Sequence, residues 1–315
     1  MIKLTITTQK AVYEPPVLSG MAWETERKST PGKIKFSIIS DAKMVFEEGD
    51  IVQAYDGETG FFYGYIFTIS TTGSGTIDIT AYDQLRYFKN KDTRSYKSKT
   101  ADALLKLIGN DYGLSIGSCD KTGLALSKVE DDAELFAMME DAMYDTLIGT
   151  GKLYVLYDDF GKLRLRDCEN MQVPILIGSE TAGGYTLTSS IDNETYNRVK
   201  LVYTDNSSGK KSYFVAEDTK TQKKWGLLQK YETINSTTGA NQIAKSMLQI
   251  SDTPVKTLKF KDCFGDIRVR AGVLVMMKMN PEADANWMLV EKATHNFKDG
   301  AHFMDLTLKG GAING

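Results

Sequence analysis

The residues with the most obvious chemical potential are few. Two histidines, His295 and His302, flank a Lys-Asp-Gly turn at 298–300. Paired imidazoles can begin a metal site or a proton relay. A zinc-like ion needs further ligands at suitable spacing, and no cysteine lies near them. The pair therefore reads as strand-surface or interface histidines. Adjacent acids occur at Asp158-Asp159 and at Glu47-Glu48. Glycoside hydrolysis needs two carboxylates converging on one bond, whereas neighbours on a strand point to opposite faces, so these read as turn acids. In a cell-wall (peptidoglycan) hydrolase, the alternative reading, Asp158, Asp159 and the His295/His302 pair would be the first candidates. A third option, a carbohydrate-binding β module, would use exposed aromatics such as Tyr63 and Tyr65.

Other chemistry is harder to find. Cys119, Cys168 and Cys263 are widely spaced and odd in number, which suits reduced, partly buried thiols better than a disulfide framework or a zinc site. No G-x-S-x-G elbow is present, and no Gly-rich phosphate loop follows a strand and opens a helix. Gly73-Ser74-Gly75 sits between two strand patterns and reads as a hairpin turn. Asp192 and Asn193 end one element and begin the next. Arg268 and Arg270 alternate with Ile267 and Val269 and should share a strand face, either solvated or paired with acids across a subunit boundary. No catalytic, cofactor-binding or metal-ligating residue is assigned, no cofactor is expected, and the chain is expected not to be an enzyme.

Composition agrees with a scaffold. With 42% apolar and 25% charged residues the chain is ordinary for a globular protein. A net charge of -3 gives no footprint for specific nucleic-acid binding, and Lys220–Gly226 (KTQKKWG) is too short to supply one. The N-terminus alternates Ile2, Leu4 and Ile6 with polar residues, unlike the apolar run of a signal peptide. No stretch approaches the roughly 20 apolar residues of a membrane span. Synthesis in a cytoplasm without a cleaved signal is the expectation.

The elements that would carry these residues are mostly strands. From Gly49 to Asp83 the sequence reads as three consecutive strands. Phe61, Tyr63, Tyr65, Phe67 and Ile69 alternate along one face, with Gly64 marking a bulge or barrel corner. Ile34, Phe36 and Ile38 form a further strand face, as do Ile77, Ile79 and Ala81. A looser echo runs from Gly272 to Leu308, through AGVLVMMKM, NWMLVEKATHNF and HFMDLTL. Two such modules at the two ends suggest a duplicated barrel.

Between them the pattern changes. Thr100 can cap a helix with Leu104, Leu107 and Ile108 on one face and Gly113 as its stop. A second helix is expected to begin near Asp131-Asp132, with a core stripe that includes Met138, Met139 and Met143. A hairpin then pairs Leu153, Val155 and Tyr157 with Leu163 and Leu165. Further strands follow Tyr185: NRVKLVYTD, SYFVAED and KKWGLLQKYE. The fold class is mainly β with an α+β insertion: two related barrel-like domains plus a small α/β domain. The expected divisions are 1–95 for the first barrel and 96–185 for the insertion. The second barrel takes 186–315, with one helix at about 239–250 and a flexible C-terminal tail.

The ordered segments GDIV, FFYGYI, IDITAYDQLRYFKNKDT, KTADALLKLIGNDYGL, GKLYVLYDDFGKLRL, SIDNETYNRVKLVY, WGLLQ, GDIRVRAG and MLVEKATHNF, with AHFMDLTL, resemble the hub proteins of contractile phage tails. The XkdQ/YqbQ type of prophages and tail-like particles is the nearest resemblance. The late control gene D proteins and the N-terminal part of type VI secretion spike proteins are more distant. The resemblance covers essentially the whole chain through the order of many weak motifs. It implies a homotrimeric baseplate hub in which two tube domains per chain make a pseudo-sixfold ring. That ring would join the sixfold tail tube to the threefold central spike. The implied partners are further copies of the chain, the tube and spike proteins, baseplate wedge proteins and the tape-measure protein. The implied location is the tail baseplate of a virion or tail-like particle, assembled in the host cytoplasm. The resemblance carries no catalytic residue onto this sequence.

Overall fold

The computed structural model describes residues 2–18, 20–73, 75–178, 180–205, 207–278 and 285–310. Ser74 of the Gly-Ser-Gly turn, Asn206 of the NSSGKK turn, Met279 and tail residues 311–315 lie outside the described residues.

Strands dominate, as the alternating patterns require. Among the described residues, thirteen strands belong to one sheet. The first module contributes, in spatial order, Met21–Glu26, Lys33–Ile39, Thr76–Tyr82, Thr59–Thr71, Ile51–Asp56, Ile2–Thr7 and Val12–Tyr13. A bridge from Val17 to Ile38, with a Leu18 N–H donated to the Ser37 carbonyl at 2.8 Å, brings the chain after Val12–Tyr13 back against Lys33–Ile39. Closing the sheet on itself in this way satisfies edges that would otherwise lie open. Leu4, Ile6, Ile34, Phe36, Ile38, Val52, Ile66 and Ile79 fill the interior.

The second module contributes Gly184–Ser190, Val255–Phe264, Ala301–Gly310, Asn286–Lys298, Leu274–Lys278 and Gln172–Gly178. Its own core is built on Leu258, Phe260, Val275, Val290, Met304, Leu306 and Leu308. The two modules are not separate barrels on a linker. Met21–Glu26 of the first pairs antiparallel with Lys292–Phe297 of the second, making the sheet continuous.

Bulges override simple alternation in the aromatic strand. Register shifts fall at Phe61 and at Phe67. Each extra residue reverses the side-chain phase. Phe61 and Phe62 are consequently both buried, while Tyr63, Tyr65 and Phe67 are half-buried on the opposite face against Phe160, Tyr82 and Tyr87. Gly64 is not at a bulge. It pairs with Val52, and a Cβ there would lie 2.3 Å from the Tyr82 carbonyl oxygen. Gly64→Ala is therefore expected to lower stability by about 1–3 kcal/mol through overpacking. A denaturant midpoint equal to wild type would contradict that close approach.

The middle region packs as its own layer. Helices Ala101–Asp111 and Leu135–Thr150 bury Leu104, Leu105, Ile108, Met138 and Met139 against the hairpin Tyr154–Asp158/Leu163–Asp167. The second helix starts at Leu135, later than the paired acids suggest. Asp131 and Asp132 lie in strand Leu126–Glu134, where Thr93 donates to Asp131 and Lys91 pairs with Asp132 at 3.0 Å. That strand pairs with Lys91–Lys99, outside the large sheet. The hairpin strand Tyr154–Asp158 is buried on both faces: Tyr154 and Leu156 face the helices, Val155 and Tyr157 face the second module.

Arg198–Thr204, Lys211–Glu217 and Gln229–Ile234 form a separate three-stranded sheet covered by helix Ala240–Ser251. The segment expected as one strand from Lys223 contains a helix instead. Asp218 accepts the Lys220 and Thr221 amides and so caps Thr219–Trp225, and Gly226 at φ +80 ends it.

Candidate assembly interface and its buried junctions

The side chains that could do chemistry are spent on holding the units together. At the seam between the two modules, Trp23 stacks on His295 with ring centroids 4.6 Å apart. Phe297 of the second module joins the core of the first and lies 5.6 Å from Phe61. Arg27 donates from Nε and Nη2 to both carboxylate oxygens of Glu291, at 2.9 and 2.8 Å, a planar two-point pairing that fixes direction as well as charge. Contrary to the surface reading, His295 is fully buried. Its Nε2 is 2.7 Å from the Val269 carbonyl, which can only accept, so Nε2 carries the proton. Nδ1 must then accept from His302 Nε2 at 2.9 Å. Burial, with His302 beside it, pushes the His295 pKa down to about 3. Burial also lowers that of His302, against the pull of Asp56 and Asp266. Both rings are neutral hydrogen-bonding elements at physiological pH.

A second junction ties the middle hairpin to both modules. Asp83 accepts the Gly32 amide at 2.9 Å and the Leu85 amide at 3.0 Å, ending one strand and starting the short 3₁₀ turn Gln84–Lys89. Buried Gln84 donates to Asp158 at 3.1 Å and to the Gly161 carbonyl at 2.6 Å. Arg270 reaches in from the second module. It donates to the Asp158 main-chain carbonyl at 2.7 Å, and its guanidinium lies 4.2 Å from the Tyr157 ring centroid. Burial first, then the nearby Asp158 charge, holds Asp83 well above the usual carboxylate range, with Arg270 pulling it down. Burial likewise raises Asp158, opposed by hydrogen bonds from Gly161 and Gln84. Burial lowers the Arg270 pKa, opposed by Tyr157 and the two acids. The strand expected through Arg268 and Arg270 is an irregular segment instead. Arg268 faces solvent paired with Asp266 at 2.6 Å, and Arg270 turns inward.

The hydrolase candidates do not converge. Asp158 belongs to this junction, half-buried Asp159 pairs with Arg164, and the histidines sit at the seam. Among the described residues no hydrogen bond or ion pair joins either acid to either histidine, and no group of three or more potential ligands could hold a metal ion. Cys168 and Cys263 are buried, and burial pushes each thiol up to about 12, away from nucleophilic reactivity. A cleft of 410 Å³ lies between helix Leu135–Thr150, helix Ala240–Ser251 and the large sheet. Its walls alternate cations (Arg27, Lys230, Lys309) with acids (Glu140, Glu194, Glu291) over methionine and tyrosine, and several of these are already paired: Arg27 with Glu291, Lys309 with Glu194. Among the described residues no helix is long and apolar enough to cross a membrane.

One strand edge is left open. Gly184–Ser190 pairs along one edge with Val255–Phe264, and no strand among the described residues pairs with its other edge. Residues 184–189 are exposed on both faces, with Tyr185 at 52% and Leu187 at 57%. The sequence GYTLTSS has none of the lysines or prolines that blunt a solvent-facing edge.

Two β modules are thus fused through one sheet, with α/β units packed alongside and one strand edge open among the described residues. The chain belongs to the YQBQ-like family, whose model matches residues 21–309. It is 28% identical over 302 residues to the phage-like element PBSX protein XkdQ of Bacillus subtilis (strain 168), covering 92% of this chain and 91% of that one. The fold is similar to the tail protein from Neisseria meningitidis MC58, with TM-score 0.72 and 10% identity, covering 99% of this chain and 97% of that one. It is also similar to the E. coli c3393 protein, with TM-score 0.58 and 10% identity, covering 97% of this chain and 75% of that one. That protein is described as a type VI secretion component with structural similarity to the T4 tail proteins gp27 and gp5.

Proposed function

We propose that the chain is a structural hub in the baseplate of a contractile phage tail or tail-like particle. Family and fold make it a phage tail or baseplate protein. In this reading three copies form a ring that joins the sixfold tail tube to the threefold central spike. The observation that carries it is the continuous sheet. Each chain holds two modules of similar plan side by side, so three chains present six, the number a sixfold tube meets. In this reading the tube-forming units are the strands of 2–82 and those of 172–190 with 255–310, not 1–95 and 186–315, because Gln172–Gly178 and Gly184–Ser190 belong to the second module's sheet. The unit of 91–167 would lie outside the ring, beside the small sheet of 198–234. Partners would be further copies, the tube and spike proteins, wedge proteins and the tape-measure protein, in a particle assembled in the host cytoplasm. No enzymatic step is assigned: the buried acids are hydrogen-bonded to Gly32, Leu85, Gln84 and Gly161, and His295 to His302 and the Val269 carbonyl.

Native mass measurement tests this in the presence of the tube and spike proteins. Three copies, about 105 kDa from 3 × 35.0 kDa, should enter the complex. A chain that stays monomeric with both partners present sinks the reading.

A further inference from the structure

The two β modules share a strand plan. The first runs Met21–Glu26, Lys33–Ile39, Thr76–Tyr82, Thr59–Thr71, Ile51–Asp56. The second runs Gly184–Ser190, Val255–Phe264, Ala301–Gly310, Asn286–Lys298, Leu274–Lys278. The long hairpin strand carries a bulge at the same place in each, at Phe67 and at Glu291. On the bulge side of each module the registers then coincide, although Phe260/Cys263 in the second and Phe61 in the first carry further shifts that the other lacks. Reading across the sheet, Trp23, Ile34, Ala81 and Ile66 lie opposite one another in the first module. Leu187, Leu258, Leu308 and Val290 do so in the second.

One half of this plan is completed within the chain. Met21–Glu26 uses its outer edge to pair with the second module's long strand beyond the bulge, Glu26 opposite Lys292 through Trp23 opposite His295 to Met21 opposite Phe297. The other half is open. The outer edge of Gly184–Ser190 has no strand partner, and neither does the matching side of Thr68–Thr71 beyond the first module's bulge, among the described residues. Side chains tell the same story. Met21 and Trp23 are each 3% exposed, whereas their counterparts Tyr185 and Leu187 are 52% and 57% exposed.

We propose that Gly184–Ser190 of one copy pairs antiparallel with Thr68–Thr71 of a second copy, repeating between chains the pairing that Met21–Glu26 makes within one. The equivalence fixes the register: Ser190 opposite Thr68, Ser189 opposite Ile69, Thr188 opposite Ser70, Leu187 opposite Thr71. The proposal rests on the ring reading above but not on its copy number. Donor and acceptor edges are different surfaces, so each copy binds one neighbour on each side, the head-to-tail arrangement that gives a ring where the rotation between copies closes. A second copy is the occupant because the complementary strand, with the matching bulge, is found in the chain itself.

Cysteine cross-linking tests the register. Residues directly opposite on antiparallel strands have Cβ atoms about 4.5–5.5 Å apart, close to disulfide reach. Thr71→Cys/Leu187→Cys in the 315-residue chain, assembled with its tail partners and mildly oxidised, should give a covalent ladder on a non-reducing gel. Each single variant should not, and neither should Thr71→Cys/Thr188→Cys, which points to opposite faces. Leu187→Glu, at an exposed position that leaves the fold intact, should weaken self-association at least tenfold with an unchanged melting temperature. Multicopy assembly without the Thr71/Leu187 ladder overturns this pairing and leaves the ring standing. So does unaltered association of Leu187→Glu. A single copy in every assembly overturns both readings.

Discussion

Replacing Arg270 by methionine is expected to destabilise the protein by about 3–5 kcal/mol, the range for removing one partner from a buried charge cluster. Methionine keeps much of the volume but removes the donor to the Asp158 carbonyl and the cation over Tyr157. It also leaves Asp83 and Asp158 buried without their nearest positive charge. The pH dependence identifies the cause. A carboxyl whose folded pKa is raised contributes stability below its unfolded pKa and loses it as pH rises through the folded value. Without Arg270 both acids should move higher still. The deficit should therefore be larger at pH 8 than at pH 5, as read by urea unfolding. A deficit that is the same at both, or below 1 kcal/mol, would mean that Arg270 contributes packing alone.

His295 supplies the opposite slope. In the unfolded chain its imidazole takes a proton below about pH 6.5, whereas the folded ring resists until about 3. The unfolded state therefore binds more protons across that window, and stability falls as pH drops through it. Between pH 7 and pH 5 this one group should remove about 2 kcal/mol, a loss set by the unfolded value as long as the folded pKa stays below 4. His302, lowered by burial, acts in the same direction. His295→Gln should be less stable than wild type at pH 7, because Trp23 loses its stacked ring. It should lose much less further stability on going to pH 5, however. Parallel pH profiles for the two proteins would show that His295 is protonated in the fold and that the seam is wetter than described.

The duplication was the most legible feature of the sequence. The echo between Gly49–Asp83 and Gly272–Leu308 corresponds to real structural equivalence, from Ile51 opposite Tyr65 and Leu274 opposite Leu289 through the two hairpins. Ile34, Phe36 and Ile38 lie inward as their alternation requires. The failures have local physical causes. Single-residue bulges at Phe61 and Phe67 change the facing of the aromatic strand, and nothing in the residue types announces them. Asp131 and Asp132 mimic a helix start, but their strand is held by Thr93 and Lys91 from forty residues away. The Thr219–Trp225 helix (TKTQKKW) is too short and too polar to show a helical apolar stripe, so its end merged with the strand that follows.

Burial was least legible. His295 is covered by Trp23 from the other module, Asp83 lies beside Asp158 and Arg270, and Arg270 bonds into the middle hairpin, so their full environment exists only after the modules have joined. The same holds for the open edge. GYTLTSS is an unremarkable strand in sequence, and its lack of a partner appears only when Met21–Glu26 shows what the equivalent strand does. The structure places His295, Asp158 and Arg270 at junctions between modules, which their positions in the sequence do not announce.

Electron microscopy of the assembled particle tests the central claim most directly. A reconstruction of the baseplate should place three copies around the tail axis, their six β modules forming one ring between the last tube layer and the spike. Copies placed off the axis, or present in a number other than three at that level, would contradict the account.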